Sequence, residues 1–261
     1  MAAGFADHAV HSLQAVMKRS GFTLSVEEDL TGWADFMRST PGCWPNPTFD
    51  PAHCGVDRTN SFWTRIVDGD GRLVAHGASR VFVTGDMMAL MENHAIWYGR
   101  GALPPRPARN LAGPEVPRMS GVVSYDGGFW AAPEHRGQAF AFVLAHCNRA
   151  AALARWQPAW FTGHVTELFL EKGIAKTLYG YPIVERGQGG ICLEAVPRPD
   201  GCTEANFAVT VIDRAGVEEQ CATLCRYFAA NPGLDGRRLH EALKNGCGPA
   251  WTTPPAERDA A

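Results

Sequence analysis

Residues 134–142 read E-H-R-G-Q-A-F-A-F, and the same R-G-Q returns in E-R-G-Q-G-G-I-C-L at 185–193. An arginine beside small residues and open amides is a common way to hold a phosphate, so the two copies must be told apart. Glycine content favours the second. Backbone N–H groups converge on an anion where a helix begins, because the first turn has no internal partners and the dipole favours negative charge. The first copy follows strand-like sequence and Pro133 and opens onto an apolar stripe at Phe140, Val143, Leu144, Cys147, Ala151 and Ala154, which is helical spacing through about Arg155. Its open amides are expected at Gln138, Ala139, Phe140 and Ala141, with Arg136 adding a charge-assisted contact. The second copy runs into I-C-L-E-A-V and then Pro197, which reads as a turn between strands. Nothing else aligns between the copies, so they do not mark a duplication.

Upstream, helical periodicity covers 5–19, F-T-L-S-V (22–26) reads as a strand, and Ser25 with Glu28 has capping-box spacing for a helix over 27–39. S-F-W-T-R-I-V and R-L-V-A-H-G-A-S-R-V-F-V flank D-G-D-G (68–71), a hairpin signature. Residues 86–99 read as one helix and 99–118 as an irregular loop. Strand character returns over 119–133, with Gly127-Gly128 suggesting a bulge. Downstream come a strand at 158–165, a helix at 166–173, short strands in K-T-L-Y-G-Y-P-I-V-E and G-I-C-L-E-A-V, a strand at 204–213, and helices at 217–229 and 235–245.

Composition narrows the function classes. Of 261 residues, 46% are apolar and 20% charged, as in ordinary globular proteins. A net charge of −3 gives no footprint for nucleic acid. Arginines gather at Arg100, Arg106, Arg109 and Arg118, which fits a solvated loop or an anion site. No window approaches the ~20 apolar residues of a membrane span, and the polar residues among the first twenty do not read as a signal peptide. Eight scattered cysteines read as reduced thiols in a cytoplasm. Without a C-x-x-C or H-x-x-x-H pair, no metal is expected.

Strand, turn, R-G-Q-A-F-A, long helix, strand, short helix and aromatic-rich strand together resemble the core of the GNAT superfamily of acyl-CoA N-acyltransferases. In that family the turn reads Arg/Gln-x-x-Gly-x-Gly/Ala and binds the pyrophosphate of coenzyme A. Here Arg136 and Ala141 match its ends, and Ala139 stands where the middle glycine is usual. Phe169 takes the place where many members carry a tyrosine beside the departing thiolate. The resemblance implies an α/β (α+β) fold with a mixed, mostly antiparallel central sheet flanked by helices. It places the core at 1–185 with an insertion at about 84–118, a C-terminal extension at 186–248 packed on the core, and a tail at 249–261. It implies acetyl-CoA or another acyl-CoA as co-substrate and transfer to a small amine or amino-acid-like acceptor. The pantetheine arm would lie along Phe129, Trp130 and Ala131, and the pyrophosphate on Arg136, Gly137, Gln138, Ala139, Phe140 and Ala141. The regions outside the usual core are expected to serve substrate binding or the contacts of a homodimer.

Acyl transfer needs a neutral amine, a polarised thioester carbonyl and a protonated leaving thiolate. Asp126, just before the bulge, and His164, where strand ends should splay apart, are the candidate bases. Tyr179 is the candidate acid, with Tyr181 as a second source of a hydroxyl. Asp126 also fits a turn residue, and Tyr179 a packed aromatic. Two other readings remain: the same fold using aminoacyl-tRNA or an acyl-carrier protein, and a domain that binds acyl-CoA or a partner without catalysis.

Overall fold

Period-two alternation and an aspartate-rich turn build the first half of the sheet. Strands β2 (Ser61–Val67) and β3 (Leu73–Thr84) pair antiparallel. Asp68 closes their turn by accepting from the amides of Asp70 (3.0 Å) and Arg72 (2.9 Å). The computed structural model describes residues 2–41, 43, 45–98, 111–187, 191–192 and 204–252. Strand β1 (Thr23–Glu27) pairs with β2, and β4 (Gly121–Ala131) pairs with β3. Helix α1 (Ala2–Arg19) buries Ala6, Ala9, Leu13, Val16 and Met17 completely, a single stripe at helical spacing.

Two local expectations are corrected. Ser25 is inside β1, opposite Arg65, and its hydroxyl donates to Glu27, so no capping box forms. Helix α2 (Leu30–Ser39) instead starts at Asp29, whose carboxylate accepts from the Thr31 amide at 2.8 Å. The single helix expected over 86–99 is two short ones, α3 (Met87–Glu92) and α4 (Ala95–Tyr98). His94 between them adopts φ 63°, and the Asn93 side chain accepts from the Ala95 amide to start the second.

Residues 99–110, including Arg100, Arg106 and Arg109, lie outside the described residues. Arg118 pairs with Asp86 at 3.8 Å and donates to the Gly85 carbonyl, so it holds a turn together.

Helix α5 (Phe140–Trp156) follows β4, and β5 (Trp160–Thr166) returns beside β4 in parallel. Short helices α6 (Glu167–Glu171) and α7 (Ile174–Thr177) lead to β6 (Ile183–Arg186). The first part of K-T-L-Y-G-Y is therefore not a strand. The amides of Tyr179 and Tyr181 turn back onto the carbonyls of Ile174 and Ala175. A small ladder pairs β7 (Ile191–Cys192) with β8 (Glu204–Ala205). Then come β9 (Phe207–Asp213), α8 (Arg214–Ala230) and α9 (Gly236–Lys244).

The main sheet has seven strands in the order β1-β2-β3-β4-β5-β9-β6, antiparallel except for the β4–β5 pair. Strand β9, assigned by sequence to an extension packed on the core, is paired on both sides between β5 and β6. This part of the chain is thus within the core sheet. Helices α1, α5 and α8 pack on one face; α2, α3 and α4 cover part of the other.

The parallel pairing runs from Val123–Trp160 to Asp126–Gly163 and stops there. A Cβ at Gly163 would sit 2.6 Å from the Asp126 carbonyl oxygen, so only glycine allows this approach. Gly163→Ala is expected to cost about 2 kcal/mol or more, because backbone must move to relieve the clash; a urea midpoint equal to wild type would contradict this.

Candidate active site

Beyond Asp126 and Gly163 the two strands part. Strand β5 continues against β9, while β4 bulges and stays with β3: Ala78 faces Gly127 and His76 faces Trp130, which leaves Gly77 opposite both Gly128 and Phe129. The bulge expected at Gly127-Gly128 is present. The split leaves a cavity of about 270 Å³ lined from both faces of the sheet. Asp126, His164 and Tyr179, the sequence-derived catalytic candidates, all line it.

Strand alternation sorts the lining chemically. On the α5 face lie Asp126, Phe129, Tyr179, Tyr181 and Thr210; on the α2 face lie Met37, Trp97, Tyr125, His164 and Phe207. Asp126 is 3% exposed. Its Oδ1 accepts from the hydroxyls of Ser79 (2.7 Å) and Ser124 (3.4 Å), and its Oδ2 has no protein partner among the described residues. Burial raises its pKa to about 6 against the opposing effects of Ser79, Arg149 and Ser124. It is ionised at neutral pH yet near enough to take a proton.

His164 Nδ1 lies 3.0 Å from the Tyr125 hydroxyl, and its ring lies 5.2 Å from Trp97 and 5.8 Å from Phe207. Burial depresses its pKa to about 3, so it stays neutral and is the weaker base of the two. Tyr179 is buried, with its ring 5.9 Å from Phe129 and 6.3 Å from Phe169, and burial raises its pKa so that it keeps its proton. Tyr181 is pushed up to about 12 for the same reason.

The phosphate candidate lies just past the end of β4. A 3-10 turn over Pro133–His135 leads to Gly137 at φ 85° and Ala139 at φ 57°, and α5 begins at Phe140. Its N-cap makes no side-chain hydrogen bond, and the Ala139 carbonyl accepts from the Val143 amide. The open amides of the first helical turn are therefore those of Ala139, Phe140, Ala141 and Phe142, one step later than the sequence places them. The Phe140 side chain is core, edge-on to Phe22 at 5.0 Å, so only its amide is available. Ala139 occupies the left-handed region, which explains why glycine suits this position. Arg136 is exposed beside the turn. The second copy differs: Arg186 ends β6 and pairs with Glu167 at 3.6 Å, while Gln188 to Gly190 lie outside the described residues.

The mixed, mostly antiparallel sheet flanked by helices is the architecture that the sequence resemblance implies. No family model matches the chain, and no curated protein matches it. Among solved structures it is similar to a mutant of the spermidine N-acetyltransferase SpeG from Vibrio cholerae, at 13% identity over 76% of this chain and 96% of that one, with a TM-score of 0.42. It is also similar to NAA60 from Arabidopsis thaliana in complex with acetyl-CoA, at 12% identity over 74% and 98%, with a TM-score of 0.46. Both superpositions are loose, and the fold of this chain stands on its own strand order. No helix among the described residues is long and apolar enough to cross a membrane. No cluster of three or more His, Cys, Asp or Glu suited to a metal occurs among them.

Sequence reading missed Tyr125, Trp97, Phe207 and Arg149. The first three look like ordinary core aromatics. Arg149 had a signal: α5 is buried on nearly every side, so a charge in its middle needs a reason.

The raised Asp126 pKa carries a stability sign. The folded state prefers the protonated form, so this contribution is full below about pH 4 and is lost as pH rises through about 6. Relative to Asp126→Asn, wild type should lose ~2–3 kcal/mol between pH 4 and 7, read from denaturant unfolding at each pH. Ala139→Gly should gain about 0.5–1 kcal/mol by relieving the left-handed alanine, less the added chain entropy; equal or lower stability would mean that the turn is unstrained.

Proposed function

We propose that the chain is an acyl-CoA-dependent N-acyltransferase acting on a small amine, with acetyl-CoA the first donor to test. The observation that carries this reading is the joint placement of two features on one strand. The β4–β5 split opens at Asp126, and an uncapped helix N-terminus follows the same strand after a short turn. A thioester in the split and a pyrophosphate on the α5 amides would thus be joined by an extended arm along Phe129, Trp130 and Ala131. The residues suit such a ligand: Gly137 gives its positive φ freely, the first-turn amides lack a side-chain cap, and Arg136 is free to close on a phosphate.

In the proposed reaction Asp126 accepts the proton lost by the attacking amine. As the new C–N bond forms and the C–S bond breaks, Tyr179 gives its hydroxyl proton to the departing sulfur and recovers one from solvent, to which Asp126 releases the proton it took. Amides of the bulge at Gly128 and Phe129 would polarise the thioester carbonyl. His164 with Tyr125, Trp97 and Phe207 walls the opposite mouth, where the acceptor would enter. No covalent enzyme intermediate is required, since positioning supplies much of the rate.

Calorimetry should give micromolar binding of free coenzyme A, weakened about tenfold in Arg136→Ala by loss of one charge-assisted contact. Thiol release with acetyl-CoA and a panel of amines should fall ~100-fold in Asp126→Asn and at least about tenfold in Tyr179→Phe, with KM for the donor little changed. In wild type, kcat/KM should drop below about pH 6 as Asp126 protonates. Binding without turnover on any amine would leave a binding domain instead.

A further inference from the structure

Arg149 sits in the middle of α5 and is 1% exposed. Its Nη2 donates to the Tyr179 carbonyl and lies 3.0 Å from His146 Nδ1. The guanidinium lies 4.5 Å from the centre of the Tyr181 ring. Its Nε and Nη1 have no partner among the described residues. Asp126 feels the cation through space.

Burying a guanidinium without a contacting carboxylate costs several kcal/mol, and an aliphatic side chain would pack this helix at no such cost. Holding one carbonyl needs only a neutral donor. The charge itself therefore requires an explanation, and its neighbours suggest one. The titratable groups around it are Asp126 from β4, His146 from α5, Tyr179 and Tyr181 from the segment before β6, and Cys221 from α8. At neutral pH burial keeps His146 uncharged and leaves Tyr179, Tyr181 and Cys221 protonated, so among these groups of the described residues Asp126 is the one that opposes the cation. In acyl transfer the proton taken by Asp126 removes that opposing charge while negative charge grows on the sulfur beside Tyr179.

We propose that Arg149 is a positioning residue for acyl transfer: it fixes Tyr179 and Tyr181 at the split and supplies buried positive charge to the thiolate side of the reaction. This rests on the acyltransfer reading above. Arg149 touches no reacting atom and acts through the tyrosines and through Asp126.

The test is the steady-state kinetics and pH profile of wild type, Arg149→Met and Arg149→Lys with acetyl-CoA and the best amine of the panel. Arg149→Met is expected to lower kcat by about 10–100-fold, with KM for acetyl-CoA within about threefold. Its acid limb should move up by roughly half a pH unit or more, because Asp126 loses a nearby cation. A purely structural role would not move that limb. Arg149→Lys should keep the limb in place and retain kcat within about fivefold, and it decides the matter if the Met variant does not fold. An unmoved limb or a kcat near wild type in Arg149→Met would overturn the proposal, as would a folded Lys variant whose limb is displaced. Wild-type turnover with an indifferent Met variant removes Arg149 alone. No wild-type turnover on any amine removes the acyltransfer reading and this inference with it.

Discussion

Strands β4 and β5 stay side by side as far as Asp126 and Gly163 because residue 163 has no side chain to push them apart there, and they separate immediately afterwards. Parallel neighbours cannot be joined by a tight turn, so the chain must cross over, and α5 is that crossover. The crossover brings a helix N-terminus to the end of β4. The bulge at Gly127-Gly128 then carries the end of β4 away from β5, and the gap becomes the cavity. Close approach at Gly163, crossover and bulge thus meet at the cavity.

The region around that gap departs from what stability alone would favour. Among the described residues Asp126 is buried with one oxygen unpartnered, Arg149 is buried without a contacting carboxylate, and His164 is held neutral with Nε2 unpartnered. Ala139 sits in a left-handed conformation, and α5 starts without a side-chain cap. By contrast Asp29, Asp213 and Asp235 cap α2, α8 and α9, and α1 buries a clean apolar stripe.

The two walls of the cavity differ in kind. The α5 side gathers the carboxylate, the tyrosines and the buried cation, where charge can be managed. The α2 side offers Trp97, Tyr125, His164 and Phe207, a largely apolar wall made polar by one hydroxyl–imidazole contact. A sheet split between parallel strands can present two such environments because alternate residues of one strand face opposite sides.

The sequence by itself determined most elements and that the first R-G-Q copy opens onto a helix. Hairpin turns, helix periodicity and the break at Pro133 are set by contacts a few residues apart, and these can be read along the chain. It also singled out Asp126, His164 and Tyr179, because a bulge, a strand end and an aromatic after a short helix are local features. Tertiary structure decided the rest. Ser25 lost its cap to a strand partner, Arg65, forty residues away, and β9 entered the sheet between β5 and β6 through pairings that no local pattern encodes. Which base can hold a proton near neutrality depended on burial: both candidates are enclosed, but the same desolvation raises a carboxylic acid toward 6 and drives an imidazole down to about 3. Arg149 shows the limit most clearly, since its meaning lies in Tyr179 and Tyr181, which only the folded chain brings within reach.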